Sequence, residues 1–252
     1  MLKVRVIPTL LLKSNGLVKS VKFKDHVYVG DPINAVKIFN DKEVDELLFI
    51  DIDAARQHRG PDFDQIDRIS REAFMPFGYG GGIRSTEDIK KLMRLGVEKV
   101  CVNSYAMESP DFIRRAADVV GSQSVVACID VKKDLFGAYR VYDHIKHKPT
   151  RLNPVEWAQQ LEKSGAGEIL LNSVDRDGTL SGYDLELIKR IAPEVKVPLI
   201  ALGGAGKMED FKEATASGAS AVAAGSFFVF YGPHKAVLIT YPNKGELKQL
   251  FI

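Results

Sequence analysis

Short apolar runs rich in β-branched residues recur along the chain, and segments with helical spacing of apolar positions lie between them. The runs are "VRVIPTLL", "ELLFIDID", "PFGYGG", "KVCVNS", "SVVACIDV", "EILLNSV", "PLIALGG" and "AVAAGS". Amphipathic segments at 62–74, 85–95, 110–120, 153–164, 184–191 and 208–217 separate several of them. This alternation predicts strands followed by helices. Helix starts are marked as well: Ser85 stands just ahead of Glu87 and Asp88, and Ser109 precedes Pro110, which suits a first helical position. No linker or low-complexity stretch interrupts the pattern. Strands that alternate with helices pair in parallel. Eight such units can close into a (β/α)8 barrel, or lie open as a doubly wound sheet.

An internal repeat decides between the two. "GGIRSTEDIKKLMRLGVEKVCVNS" (81–104) aligns without gaps to "GGAGKMEDFKEATASGASAVAAGS" (203–226). A four-unit half repeated once gives an α/β fold of one domain over 1–252: a single (β/α)8 TIM barrel with internal half-barrel duplication, its halves at about 1–120 and 121–252. The opening strands of the halves match too, as "VIPTLLLKSNG" from Val6 and "VACIDVKKDLFG" from Val126. Asp130 in the second copy stands where the first has Leu11.

Composition narrows the setting. Of 252 residues 45% are hydrophobic and 27% charged, and the net charge is +2, so charge gives no reason to expect nucleic acid or an anionic membrane as partner. The apolar runs are strand-length, far below the ~20 residues of a membrane helix. The N-terminal run suits a strand better than a signal peptide. Cys101 and Cys128 lie inside apolar runs without metal-ligand spacing, as in a reduced, cytoplasmic protein.

Barrel enzymes work at the C-terminal ends of their strands. There each half offers glycines and a following helix: Gly80, Gly81, Gly82, Asn103 and Ser104 in the first, Gly203, Gly204, Gly206, Gly225 and Ser226 in the second. Such turns let a backbone approach an anion, although a glycine can equally serve only to turn a strand into a helix. Their duplication points to an elongated ligand with a phosphate at each end. Asp51, Asp53, Asp130 and Asp177 stand at or just beyond strand ends between the cradles. Each can act as a general acid or base, or can pin a loop through backbone N–H groups. "DRDGTLSGYD" opens like a calcium loop but lacks its terminal glutamate, and five scattered histidines form no ligand cluster. No metal and no other cofactor is expected. No nucleophile-elbow, Walker or dinucleotide fingerprint occurs.

"GGGIRS", "DELLFIDI", "GAGEILLNSVDRDGTLSGYDLEL" and "GGAG", in that barrel context, resemble the cyclase subunit of imidazole glycerol phosphate synthase, HisF. The resemblance runs to about Tyr231. It implies a substrate with two phosphates and a class I, HisH-type glutaminase whose ammonia crosses the barrel axis to the opposite mouth. It implies phosphate contacts at Gly81, Gly82, Asn103, Ser104, Gly178, Gly203, Gly204, Gly225 and Ser226, and a pocket with Lys19, Asp51, Asn172 and Asp177. It further implies two aspartates at the ends of strands 1 and 5 as the acid–base pair of ring closure. Asp130 matches the second; Leu11 replaces the first.

Other departures cluster in the same mouth. Thr9 replaces a usual Cys, Val27 a usual Arg, and Leu202 stands where the family usually has Ser. "DHIKHKPTR" (143–151) carries two histidines and two lysines in place of a glycine-containing loop, and "YGPHKAVLITYP" (231–242) looks like an insert with its own strand, "AVLIT". At the opposite end Arg5, Glu46, Lys99 and Glu168 match the family's ring of charges at the ammonia entrance. An intact entrance beneath an altered mouth resembles the family branch found with acetamidino modification of surface-polysaccharide sugars, in which the barrel and its glutaminase feed ammonia to a separate ATP-dependent amidotransferase. Two alternatives stay open: an authentic histidine-pathway cyclase in which another acid such as Asp53 covers for Leu11, and a non-catalytic scaffold joining a glutaminase to a sugar-modifying enzyme.

Overall fold

Eight parallel strands close on themselves in the computed structural model, which describes residues 4–251. They are β1 (Arg5–Lys13), β2 (Leu47–Asp51), β3 (Phe77–Gly80), β4 (Lys99–Val102), β5 (Val125–Lys133), β6 (Glu168–Ser173), β7 (Leu199–Leu202) and β8 (Ala221–Ala224). Each pairs with its neighbours in sequence, and the two halves meet where β4 pairs with β5 and where β8 pairs with β1. The chain forms a single (β/α)8 barrel.

Alternation along each strand divides the apolar residues between two cores. On β1, Ile7 joins an axial cluster with Leu48, Cys101, Val126, Cys128, Leu170, Ile200, Ala221 and Ala223. Val6, Leu10 and Leu12 face outward into the larger cluster beneath the helices. Those helices are α1 (Pro32–Asp41), α2 (Phe63–Glu72), α3 (Thr86–Arg94), α4 (Asp111–Val120), α5 (Pro154–Lys163), α6 (Leu185–Ile191), α7 (Met208–Ala216) and α8 (Lys244–Leu250). The aligned repeat segments start their helices alike. Asp88 accepts the backbone N–H groups of Arg84 and Ser85, as Asp210 accepts those of Gly206 and Lys207. Ser85 caps α3 as its sequence predicts, whereas Pro110 sits one position before α4 rather than inside it.

Three hairpins rise from the C-terminal ends of strands. Gly16–Val21 and Lys24–Gly30 continue β1 antiparallel, with Leu11 opposite Val18. Tyr139–Asp143 pairs with the end of β5 and is followed by Lys148–Pro149. The third pairs Phe230–Tyr231 with Ala236–Val237. The strand expected for "AVLIT" is therefore only Ala236–Val237. Beyond it Leu238 and Thr240 donate their N–H groups to the carbonyls of Val229 and Phe228, which carries the chain alongside the short helix Ser226–Val229 instead of along a sheet edge. Among the described residues no helix is long and apolar enough to cross a membrane.

Phe211 of α7 is fully buried, with its ring against Tyr183, Phe227 and Phe228. Truncating a buried phenylalanine costs about 3–5 kcal/mol. Phe211→Ala should lower the urea midpoint accordingly; a midpoint within error of the parent would deny this cluster its role.

Candidate active site

At the N-terminal end of the barrel four charged side chains form a closed alternating ring. Arg5 bonds Glu46 at 2.5 Å and Glu168 at 2.6 Å; Lys99 reaches the same two carboxylates at 3.2 and 2.9 Å. Both glutamates are buried, so each depends on the cations beside it. Burial works against the Arg5 charge, but Glu168 and Glu46 outweigh it and hold the guanidinium above its ordinary pKa. Two positive and two negative groups leave the ring neutral.

The opposite mouth holds a cavity of about 170 Å³. Asp130 is buried at its edge, where Asn103 donates to one carboxylate oxygen at 2.7 Å and Asn172 to the other at 2.9 Å. The Nδ1 atom of His144 lies 3.3 Å from Asp130 Oδ2, and its Nε2 lies 3.1 Å from Ser104 Oγ. Leu11, Ile50 and Leu202 give the cavity an apolar wall. Buried Lys19 donates to the Thr9 carbonyl at 2.5 Å, and burial, opposed by nearby Asp177, lowers its ammonium pKa to about 8. Burial also raises Asp177 to about 6 against the pull of Lys19 and the Phe23 and Ser20 donors. Asp177 is the hairpin's latch: its carboxylate receives Ser20 Oγ at 3.3 Å and Phe23 N–H at 3.4 Å, and its carbonyl receives Lys22 N–H at 2.9 Å.

Comparison with known proteins fits this geometry. The family model described as "Histidine biosynthesis protein" matches residues 5–234. The chain belongs to the histidine biosynthesis protein family. Within it the chain is of the HisF type. It is 52% identical over 98% of its length to a Pseudomonas aeruginosa protein provisionally named imidazole glycerol phosphate synthase subunit hisF2, 99% of which is covered. It is 48% identical to a Vibrio vulnificus protein provisionally named subunit hisF3, covering 99% of this chain and 96% of that protein. It is 43% identical to the imidazole glycerol phosphate synthase subunit HisF of Alkaliphilus metalliredigens, over 90% of this chain and 91% of that one.

Set on this HisF-type barrel, the residues singled out in the sequence fall into three groups. Arg5, Glu46, Lys99 and Glu168 meet in the ring. Leu11, Lys19, Asp51, Gly81, Gly82, Asn103, Ser104, Asp130, Asn172, Asp177, Gly225 and Ser226 line the mouth cavity. Gly178, Gly203 and Gly204 do not line it. Gly204 has φ +112°, and a Cβ there would lie 2.2 Å from the Gly182 carbonyl oxygen; at Gly178, with φ +68°, it would lie 2.0 Å from that of Ser20. These two glycines let loops pack backbone to backbone, Gly178 directly beneath the hairpin. Asp51 is a loop pin: it accepts the N–H groups of Asp53 and Ala54 and pairs with Arg59 at 2.7 Å. Asp53 lies outside the cavity lining, and Val27 sits on the outer hairpin strand, 56% exposed.

Arg59 escaped the sequence reading, and His144 was noted there only as one of two histidines in its loop. Thr9 Oγ1, Asn172 Oδ1 and His144 Nδ1 are buried without a well-formed hydrogen bond. The signal for His144 was the pair of histidines in the loop at 143–151.

The Asp177 latch has a defined pH response. A carboxyl with a raised pKa binds its proton more tightly in the docked state, so its stabilisation is complete below the ordinary value of 3.8 and disappears as pH rises through about 6. The lowered Lys19 works in the other direction, its contribution being present above 10.5 and lost as pH falls through about 8, so it is constant below that. Hydrogen exchange of the hairpin, corrected for intrinsic rates, should therefore slow between pH 7 and 5, and Asp177→Asn should remove the change. Unchanged or weaker protection at pH 5 would contradict the latch.

Proposed function

We propose that this HisF-type chain accepts ammonia at its charged ring from a HisH-type class I glutaminase and delivers it along the barrel axis to chemistry other than imidazole ring closure. The observation that carries the proposal is the complete four-charge ring beneath a mouth lined by both Leu11 and Asp130. A side chain without a transferable proton forgoes a contribution that is typically ~10²–10⁴-fold for a positioned acid or base. The axial wall of Ile7, Leu48, Val126, Leu170, Ala221 and Ala223 supports passage of the neutral molecule, because an apolar interior excludes ammonium.

The receiving reaction is amidination of a surface-polysaccharide sugar by an ATP-dependent amidotransferase in the cytoplasm. Relatives whose printed names carry the numbers 2 and 3 match 98% and 99% of the chain, while the HisF of Alkaliphilus metalliredigens matches 90%, which favours a specialised branch. A phosphorylated small molecule occupies the cradle of Gly82, Asn103 and Ser104, and Gly225 with Ser226 takes a second anion. Asp130, held by two amides, keeps an authentic cyclase as the second reading.

The chain should elute with its organism's class I glutaminase in size-exclusion chromatography; failure to form a complex with any of them refutes docking. Lys99→Ala should fold and still bind the glutaminase, because Arg5 continues to bridge both glutamates. In a reconstituted three-protein system it should lower the amidine formed per glutamine hydrolysed. An unchanged ratio would leave docking standing and remove the gate.

A further inference from the structure

The loop at 143–151 brings two histidines to the mouth cavity, His144 and His147, and the first of them reaches Asp130. Asp143 ends the Tyr139–Asp143 strand and accepts the N–H groups of Ile145 and Lys146, both at 2.9 Å. That turn holds the backbone on either side of His144. Its ring then lies between Asp130, at 3.3 Å from Nδ1, and Ser104, at 3.1 Å from Nε2. Asn103 and Asn172 place the Asp130 carboxylate but bring it no charge. Among the described residues His144 is the one potential cation within ion-pair distance of Asp130. The other charged groups facing the mouth have partners of their own: Asp51 with Arg59, Lys19 near Asp177, Arg84 with Glu108, Lys146 with Asp143, and Arg56 against His147 at 2.9 Å. His26, the third histidine of the cavity, is drawn down by burial and by Lys13 and Arg56, against Asp53 and Asp25.

We propose that His144 is the general base of the mouth and that Asp130 is its positioning carboxylate, so that the loop supplies the proton-transfer group that β1 lacks at Leu11. With Nδ1–H turned toward Asp130, Nε2 carries the free lone pair and accepts the Ser104 hydroxyl at rest. The Nδ1 contact is off the line of a good hydrogen bond, as such contacts often are before a substrate tightens them. A ligand oxygen that takes the Ser104 hydroxyl releases Nε2 toward the ligand. The assignment rests on the mouth being an ammonia outlet, to which the amidotransferase presents its activated carbon. When ammonia adds to a carbon doubly bonded to oxygen or nitrogen, the ammonia lone pair forms the C–N bond and the π pair of the double bond moves onto its heteroatom. The new nitrogen is left positively charged with one proton too many. Nε2 takes that proton, the N–H electron pair returns to nitrogen, and the imidazolium is held opposite the Asp130 carboxylate. Leu11, Ile50 and Leu202 beside it keep the site apolar, where such a pairing is strengthened.

The test uses the whole chain with p-nitrophenyl acetate as probe, together with nitrogen NMR of the histidine rings. The wild type should hydrolyse the ester with a rate that rises with pH along one ionisation, and its His144 should be the Nδ1–H tautomer. His144→Gln should lose at least about tenfold in rate. Asp130→Asn should lose less, shift the midpoint of the pH profile and abolish the tautomer preference; a structural role alone would move neither. His234→Gln, on an exposed hairpin outside the cavity, should match the wild type. An unchanged rate in His144→Gln, or an Nε2–H tautomer in the wild type, overturns the proposal. The assay needs neither ammonia nor a glutaminase, so its failure removes the base and leaves the channel, whereas a missing glutaminase complex removes the channel and leaves the base.

Discussion

Closure of the eight strands into a ring forces their alternate residues to share a single axis, and polar groups placed there have mainly one another as partners. On β1 the residues of that inner face are Arg5, Ile7, Thr9 and Leu11. The consequence is a barrel graded along its axis: a neutral four-charge ring, an apolar middle and a polar mouth. Glu46 and Glu168 would be costly to bury alone, and Arg5 and Lys99 reach both of them. Each glutamate has both cations as partners and the ring is neutral, so it holds together without an outside counter-ion. A neutral plug over an apolar axis suits a small neutral passenger.

The mouth is assembled differently, from loops instead of strand registers. Hairpins on β1 and β5, four strands apart round the barrel, bring Lys19 and His144 over the same cavity. Asp177 ties the first hairpin down at a cost in buried charge, visible in its raised pKa and in the lowered one of Lys19. Asp130 sits at a strand end with neutral amides on both oxygens. A rigid carboxylate and a loop-borne imidazole divide the labour: one is fixed by the barrel, the other is free to vary with the loop. This is the division expected where a scaffold persists while chemistry changes.

Much of this was legible in the sequence because the barrel rests on local rules. Periodicity located all eight strands, and the aligned repeat located the matching helix starts at Asp88 and Asp210. The ring was legible through resemblance, since nothing in the spacing of Arg5, Glu46, Lys99 and Glu168 reveals that they meet. What escaped depends on non-local packing. The β1 hairpin reads as a polar loop until Asp177 gives it a dock, and α1 lay unmarked between two strands. Gly204, a candidate anion cradle in the sequence, and Gly178, a phosphate contact implied by the resemblance, also permit close backbone packing against Gly182 and Ser20, which no local pattern reveals. Val27 looked like a mouth substitution, but it lies on the outer hairpin strand. His144 acquires its meaning only when the loop folds back onto Asp130.

The proposed function turns on one pairing, the complete four-charge ring beneath a mouth lined by Leu11 and Asp130. Its most direct test is ammonia-dependent cyclase turnover of the purified chain, measured with the bis-phosphate substrate of imidazole glycerol phosphate synthase and ammonium salt. The account predicts turnover reduced by about 10²–10⁴-fold relative to an ordinary cyclase, with at most a trace restored by Leu11→Asp. Wild-type turnover equal to that of an ordinary cyclase would contradict it.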